Sequence, residues 1–212
     1  MTSTHPTDSL SPPAPPTTKT PLWPIALAAL ATIAVVVSTL RLEMPELERL
    51  VLLNRYLARL SFLVFVPIYA ASPLAVWFPG PAIRGLLRLR RSLGLGYAIV
   101  MGAHVCGILA YHRTTGSDPI EPVAFALGGL GFVLIAALAA TSNDASVRRL
   151  GGRRWRRLHL VTLHWLWAIY TFTYLGRIGD RGTEYLPGLI TVFALLALRV
   201  SAFWQKRRRS VA

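Results

Sequence analysis

The spacing of charged residues is the feature that most constrains the fold of this chain. Long windows carry almost no charge, and short, mainly basic clusters separate them. The windows cover residues 20–40, 60–83, 92–112, 122–143, 158–176 and 185–205. About 20 apolar residues suffice for a helix to cross the hydrocarbon of a membrane, whereas an open sheet would leave backbone groups unpaired in lipid. The sequence therefore predicts an all-α integral membrane protein, a six-transmembrane-helix bundle.

The composition supports a membrane protein over a soluble or nucleic-acid-binding one. The 212 residues are 53% hydrophobic and only 15% charged, and the net charge is +14. A soluble domain has about 25% charged residues, and a strongly basic chain often binds nucleic acid. Here the basic residues lie between apolar windows, so we expect contact with membrane lipid and none with nucleic acid. A single cysteine also excludes a disulfide framework.

The charge distribution also predicts domains and topology. Residues 1–21 contain six prolines and nine serines or threonines, which favours a disordered tail. Residues 22–205 form the predicted six-helix transmembrane domain, and residues 206–212 form a basic cytoplasmic tail. With the N-terminus inside, 16 of the 23 Lys and Arg residues fall on inner segments, which predicts that both termini are cytoplasmic. Arg199 lies near the end of the last window, where we expect its head group to reach the interface.

Three histidines are candidate functional residues because they lie within predicted spans. His104 is in the middle of the third window, His159 begins the fifth, and His164 follows it by one and a half turns. An ionisable residue inside a membrane span indicates function by default, and imidazole is a common ligand of haem iron. A neutral histidine bonded to a neighbouring helix is the alternative. Glycines in the third and fourth windows allow either close helix packing or space for a flat macrocycle.

Several short motifs resemble one known family, the ferric-reductase-like transmembrane domain, and within it the MsrQ-type haem-binding membrane subunit of the methionine-sulfoxide reductase system. The similarity covers about residues 60–175. The motifs are Ser72-Pro73-Leu74, Arg90-Arg91-Ser92-Leu93-Gly94-Leu95 followed by His104, Thr141-Ser142-Asn143, Arg148-Arg149-Leu150-Gly151 and Trp155-Arg156-Arg157-Leu158-His159. Their order and spacing carry the resemblance more than any one of them.

The resemblance implies a cofactor, partners and a location. It implies one or two b-type haems, with His104 and His159 as iron ligands, and FMN as a further cofactor. Inner arginines, Arg91 and Arg157 among them, would neutralise haem propionates or a flavin phosphate; contact with lipid headgroups is the alternative. Electrons would come from a cytoplasmic flavin reductase or quinone and leave to a periplasmic reductase. The location would be the bacterial inner membrane, which the chain crosses several times.

One residue departs from the family pattern. The family has a further histidine thirteen residues after the one matched by His159, and here that position is Phe172. At ~1.5 Å rise per residue, His104 lies roughly 20 Å above Arg91, whereas His159 lies about 3 Å above Arg157. An outer haem could then be five-coordinate on His104, helix tilt could let His164 partner His104, or the haem site could be degraded. We expect a retained haem with His164 as a substitute ligand.

The sequence leaves rival functions open. The chain has no glycine-rich dinucleotide fingerprint, so we expect an oxidoreductase electron-transfer subunit rather than a self-sufficient enzyme. A ferric or other metal reductase of the same family is one alternative. A non-redox membrane scaffold or transporter that has lost haem is another, although we see no internal repeat of the kind that transporters show.

Overall fold

The computed structural model describes residues 20–116 and 122–210, without the side chains of 122–124, 180 and 181. The predicted tail over residues 1–21 lies outside the described residues except for its last two. Those described form helices and no strand. The helices are α1 Trp23–Leu40, α2 Glu46–Trp77, α3 Pro81–Thr115, α4 Pro122–Ala140, α5 Asp144–Leu150, α6 Gly152–Arg181 and α7 Leu186–Arg209; a 3₁₀ turn, Gly182–Tyr185, precedes α7.

Local sequence explains where the helices begin and end. Gly116, Gly151 and Gly182 follow α3, α5 and α6 with φ of 52°, 75° and 77°, a left-handed backbone that side chains with a Cβ disfavour. Asn143 caps α5, because its side chain accepts a hydrogen bond from the Ser146 N–H at 2.8 Å. The connection between α4 and α6 is therefore the short helix α5, which begins after the Asn143 cap and ends at Gly151.

The all-helical prediction is confirmed, and several helices are suited to a membrane. Among the described residues, α1, α2, α3 and the last helix are long and apolar enough to cross it. The described part of α4 is long and apolar enough to cross a membrane only when α5 is counted with it, and α5 is bent away from α4 by 107°. Helix α6 is long enough, but its histidines, tyrosines and tryptophans lower its hydropathy. Four or five candidate spans are thus seen, against six predicted windows.

The helix boundaries differ from the predicted windows because charge does not stop a helix. Helix α2 begins at Glu46 and α3 at Pro81, both well before their apolar windows. The second window, residues 60–83, also crosses a break, since α2 ends at Trp77. At the other end of the chain, α7 continues as helix through the basic cluster to Arg209, so most of the predicted basic tail is helical.

Helix α2 is the centre of the bundle. It packs against α1, α3 and α7, while α4 packs against both α3 and α6. The buried cluster between α2, α3 and α6 is rich in aromatic side chains, including Phe62, Phe65, Tyr69, Tyr97 and the partly buried Tyr170. The Phe62 and Phe65 rings each lie 5.0 Å from the Tyr170 ring. Large side chains thus hold α6 away from α2 and α3, which leaves space on either side of them.

Two of the α3 glycines set close helix contacts. A Cβ at Gly96 would lie 2.8 Å from the Ala28 Cβ on α1, and one at Gly107 would lie 2.6 Å from the Asn54 Oδ1 on α2. Gly94 and Gly102 have open space instead. Packing therefore explains Gly96 and Gly107, whereas Gly94 borders a cavity described below.

Candidate functional site

Two cavities of about 610 Å³ each lie at opposite ends of the helix bundle. One is lined by His104, the other by His159, and we name them the His104 cavity and the His159 cavity. The first is bordered by the beginning of α2 and the ends of α3 and α6, the second by the beginning of α3 and α6. A volume of 300–1,000 Å³ is typical of ligand and cofactor sites. The two histidines predicted at different depths thus face two separate spaces.

The His104 cavity has mainly apolar walls, and two polar side chains with unpaired atoms border it. The Nδ1 atom of His104 and the Oδ1 atom of Asn54 are buried without a hydrogen-bond partner among the described residues. Unpaired buried polar atoms are costly in a folded protein, and both residues border this cavity. The walls include Ile108, Phe132, Ile135, Leu166 and Ile169, and the basic residues Arg55, Arg59, His112 and Arg177 also line it. The cavity suits an apolar ligand with an acidic edge.

In the His159 cavity the histidine is oriented by its own helix. The Nδ1 atom of His159 lies 3.0 Å from the Trp155 carbonyl oxygen, and the two rings lie 3.8 Å apart. The Trp155 indole N–H donates to the Thr141 carbonyl at 3.0 Å, which ties the start of α6 to the end of α4. A histidine that donates one ring N–H to a carbonyl keeps its other nitrogen free to bind a metal. His159 is therefore held in an orientation that leaves its second ring nitrogen available to bind a metal.

A layer of tyrosines lies between the two cavities. Tyr97, Ile135 and Leu166 border both. The Tyr97 and Tyr170 hydroxyls lie 3.1 Å apart, and Tyr170 also bonds the Ser61 hydroxyl at 2.8 Å. The contacts between these hydroxyl groups therefore lie in the centre of the bundle, where the two cavities meet.

The arginines divide into bonded and free groups. Arg91 donates to the Ser142 carbonyl at 2.7 Å and to Asp144 at 2.9 Å, and Arg90 donates to the Ser72 hydroxyl at 2.8 Å. Arg199 lies over the Tyr69 ring, 4.6 Å from its centre, and its Nη1 is buried without a partner. All three arginines line the His159 cavity. Arg199 thus turns into the bundle, where we expected it to reach the interface.

The structure separates His164 and Arg157 from these cavities. The His164 Nδ1 lies 2.8 Å from the Leu160 carbonyl, and its ring lies edge-on to Tyr69 with centroids 5.9 Å apart. It lines neither the His104 nor the His159 cavity, so His104 and His164 are not brought together. Arg157 is exposed and lines neither cavity, whereas Arg156 lines the His159 cavity. Two of the predicted site residues therefore lie apart from the site.

Sequence reasoning missed the inward arginine and the tyrosine layer. Arg199 had a signal, because it is the one charge inside an otherwise apolar window, and such a residue faces the interior of a bundle. Tyr97 and Tyr170 had none, since aromatic residues are common throughout apolar helices. Phe172 is 71% exposed, whereas the next residue, Thr173, lines the His104 cavity. The position that departs from the family pattern faces away from the cavity.

Comparison with known proteins adds the family. Proteins named protein-methionine-sulfoxide reductase heme-binding subunit MsrQ are similar to this chain. The one from Ralstonia nicotianae is 36% identical, with 58% of this chain and 60% of its own length covered. The one from Polaromonas naphthalenivorans is 32% identical, with 68% of each chain covered. The chain belongs to the MsrQ family. No protein-family model and no solved structure matches it.

The residues of this MsrQ-family chain fit the group named in its relatives. The chain spans 60% and 61% of the length of the Ralstonia nicotianae and Herminiimonas arsenicoxydans relatives. The name of both relatives says that they bind haem. The His104 cavity is bordered by the imidazole of His104, by apolar walls and by a basic rim. These are the features that hold a haem by its iron, its ring and its propionates, so the cavity fits the group.

Proposed function

We propose that this chain is a haem b-containing electron-transfer subunit that passes electrons across the bacterial inner membrane. The observation that carries the proposal is the pair of cavities, each with one histidine, at opposite ends of one helix bundle. Two redox sites in such positions would divide electron transfer across the membrane into two shorter steps. Both termini are cytoplasmic in this proposal, with α1, α2, α3, α4, α6 and α7 as the spans, so the His159 cavity faces the cytoplasm.

The protein's own residues would bind, orient and insulate the cofactor. His104 would be the iron ligand in the outer cavity and His159 the ligand in the inner one. Arg55, Arg59 and Arg177 would neutralise propionates at the outer end. When bound, the haem supplies one-electron redox chemistry, which the protein tunes through the ligand, the charges and the burial around it.

The inner cavity also has the charges for an acidic cofactor. Arg88, Arg90, Arg91, Arg156 and Arg199 all line it. A haem propionate or the phosphate of FMN would satisfy the Nη1 of Arg199, which has no hydrogen-bond partner among the described residues. We therefore assign this end to electron entry, from a cytoplasmic flavin reductase or a quinone.

The outer acceptor is proposed from the family. The relatives are named as subunits of a methionine-sulfoxide reductase, so we propose a periplasmic reductase as the partner of this chain. A ferric chelate is the competing acceptor. Reoxidation of the reduced protein at increasing concentrations of each acceptor distinguishes the two, because the rate should saturate with the specific acceptor and not with one that reacts only by collision.

A sided assay tests transmembrane electron transfer. The full chain, loaded with haem, would be reconstituted into lipid vesicles that contain trapped ferricyanide, and dithionite would be added outside. We expect the trapped ferricyanide to lose its absorbance faster than in protein-free vesicles, and this gain to disappear in His104→Ala. Equal rates with and without the haem-loaded protein would contradict the proposal.

A further inference from the structure

Helix α6 contributes one wall of the His104 cavity. Tyr97 on α3 and Leu166 on α6 both border the two cavities, so they mark the same level of the bundle. Seven residues beyond them come His104 and Thr173, each ~10 Å higher and two turns further along the same helix face. Both residues line the cavity. His104 and Thr173 therefore line the same cavity from α3 and α6 at about the same level.

Nothing at that position on α6 binds iron as imidazole does. The α6 residues that line the cavity are Leu166, Ile169, Tyr170, Thr173, Tyr174 and Arg177. Tyr170 is already bonded to Ser61 and Tyr97. The Tyr174 ring packs 4.9 Å from Phe62 and 6.3 Å from Tyr185. None of these α6 side chains is an imidazole, a thiol or a carboxylate.

The other histidines within residues 20–116 and 122–210 do not reach that position either. His112 lines the cavity, but it lies on the same helix as His104 and ~12 Å further along it. His164 packs against Tyr69 and lines neither of the two cavities. Among the described residues, His104 is left as the imidazole at the level of Thr173.

We propose, on the basis of the function proposed above, that the haem of the His104 cavity has His104 as its one protein ligand. A haem held in this way would keep one coordination position open to small neutral diatomic ligands, for which carbon monoxide is the probe. Leu166, Ile169 and Thr173 carry no ionisable group, so this part of the wall suits a small neutral ligand. The polarity and access of such a pocket decide whether a haem binds gases or only transfers electrons.

The exposure of Phe172 supplies a matched pair of variants. Phe172 is 71% exposed and lies ~100° around α6 from Thr173. A histidine at position 173 would face His104 across the cavity, whereas a histidine at position 172 would point away from it. Thr173→His should therefore close the open position, and Phe172→His should leave it open.

The experiment measures carbon monoxide binding to the dithionite-reduced full chain. His159→Ala serves as the background, so that the signal comes from the His104 cavity alone. We expect a carbon monoxide shift of the Soret band, a loss of at least tenfold in affinity in Thr173→His, and no change in Phe172→His. Imidazole added to the oxidised protein without a new histidine should convert a high-spin spectrum to a low-spin one, which covers the case that Thr173→His does not fold.

Three results would overturn the inference. The first is a low-spin haem that does not react with carbon monoxide or imidazole, because this means a second protein ligand. The second is closure of the site by Phe172→His but not by Thr173→His. The third is a spectrum changed by Tyr174→Phe, which would indicate a tyrosine ligand. A chain that binds no haem contradicts the proposed function itself, and the protein's absorbance distinguishes that outcome from the other three.

Discussion

The hydroxyl groups of Tyr97 and Tyr170 lie 3.1 Å apart, on α3 and α6, at the level where the two cavities meet. Tyr170 is bonded to Ser61 of α2 as well, so the side chains of three helices meet at one point. The remaining hydroxyl bond of Ser61 is local, to the Ala58 carbonyl at 2.8 Å. The tyrosine pair therefore links α2, α3 and α6 at the level between the two cavities.

Removing the Tyr170 hydroxyl should lower the free energy of unfolding more than removing the Tyr97 hydroxyl. In Tyr170→Phe the Tyr97 hydroxyl stays buried without a partner, whereas in Tyr97→Phe the Tyr170 hydroxyl keeps Ser61. We expect Tyr170→Phe to lose about 1–2 kcal/mol and Tyr97→Phe about 1 kcal/mol or less. Thermal unfolding in detergent measures both.

The double variant gives the control for this pair. Tyr97→Phe with Tyr170→Phe removes both partners, so it should cost less than the sum of the single changes. Additive losses would mean that the two hydroxyls are independent and that the contact does not stabilise the bundle.

The close approach of α1 and α3 should depend on Gly96. A Cβ there would lie 2.8 Å from the Ala28 Cβ and 3.3 Å from the Pro24 carbonyl oxygen, and backbone does not move away cheaply. We expect Gly96→Ala to destabilise the protein by about 2 kcal/mol, seen as a lower unfolding temperature. Gly102→Ala is the matched control, because nothing lies within 4 Å of its Cβ; an equal loss in both variants would refute the packing role.

The buried cation of Arg199 should raise the reduction potential of a cofactor in the His159 cavity. A cation nearby favours the form that has gained an electron, so Arg199→Gln should lower the potential by tens of millivolts, on the order of a Coulomb energy of ~1 kcal/mol. Redox titration followed by absorbance measures it. Arg157→Gln removes an arginine that lines neither cavity and should leave the potential unchanged. Equal shifts in the two variants would show that distance from the cavity does not matter.

The helices could be predicted well because their signal is local. Long windows without charge locate α1, α3, α4, α6 and α7. The window edges do not coincide with the first residues of α2 and α3, since a helix continues through charged residues such as those between Glu46 and Arg59. The break between Trp77 and Pro81 lies inside an apolar window, where charge gives no signal.

The site could be predicted only in part, because it depends on how helices turn toward each other. The rise per residue places His104 and His159 at different levels, and the structure puts them in different cavities. The rotation of α6 about its axis decides that Thr173 faces the cavity and Phe172 does not, and packing against α4 and α7 sets that rotation. The inward direction of Arg199 depends in the same way on how its own helix, α7, is rotated about its axis.

The three histidines should differ in their effect on haem content. His104→Ala and His159→Ala each remove the imidazole of one cavity, so each should lower the ratio of haem to protein, and the double variant should bind none. His164→Ala changes a residue that lines neither cavity and should keep the ratio. A loss of haem in His164→Ala as large as in His104→Ala would contradict this assignment.

The most direct test of the account is the difference spectrum of the purified full chain, dithionite-reduced minus oxidised, from cells supplied with haem. The account predicts the bands of a reducible b-type haem, which weaken in His104→Ala and in His159→Ala and persist in His164→Ala. A folded chain without a reducible haem band, or with bands that His104→Ala leaves unchanged, would contradict it.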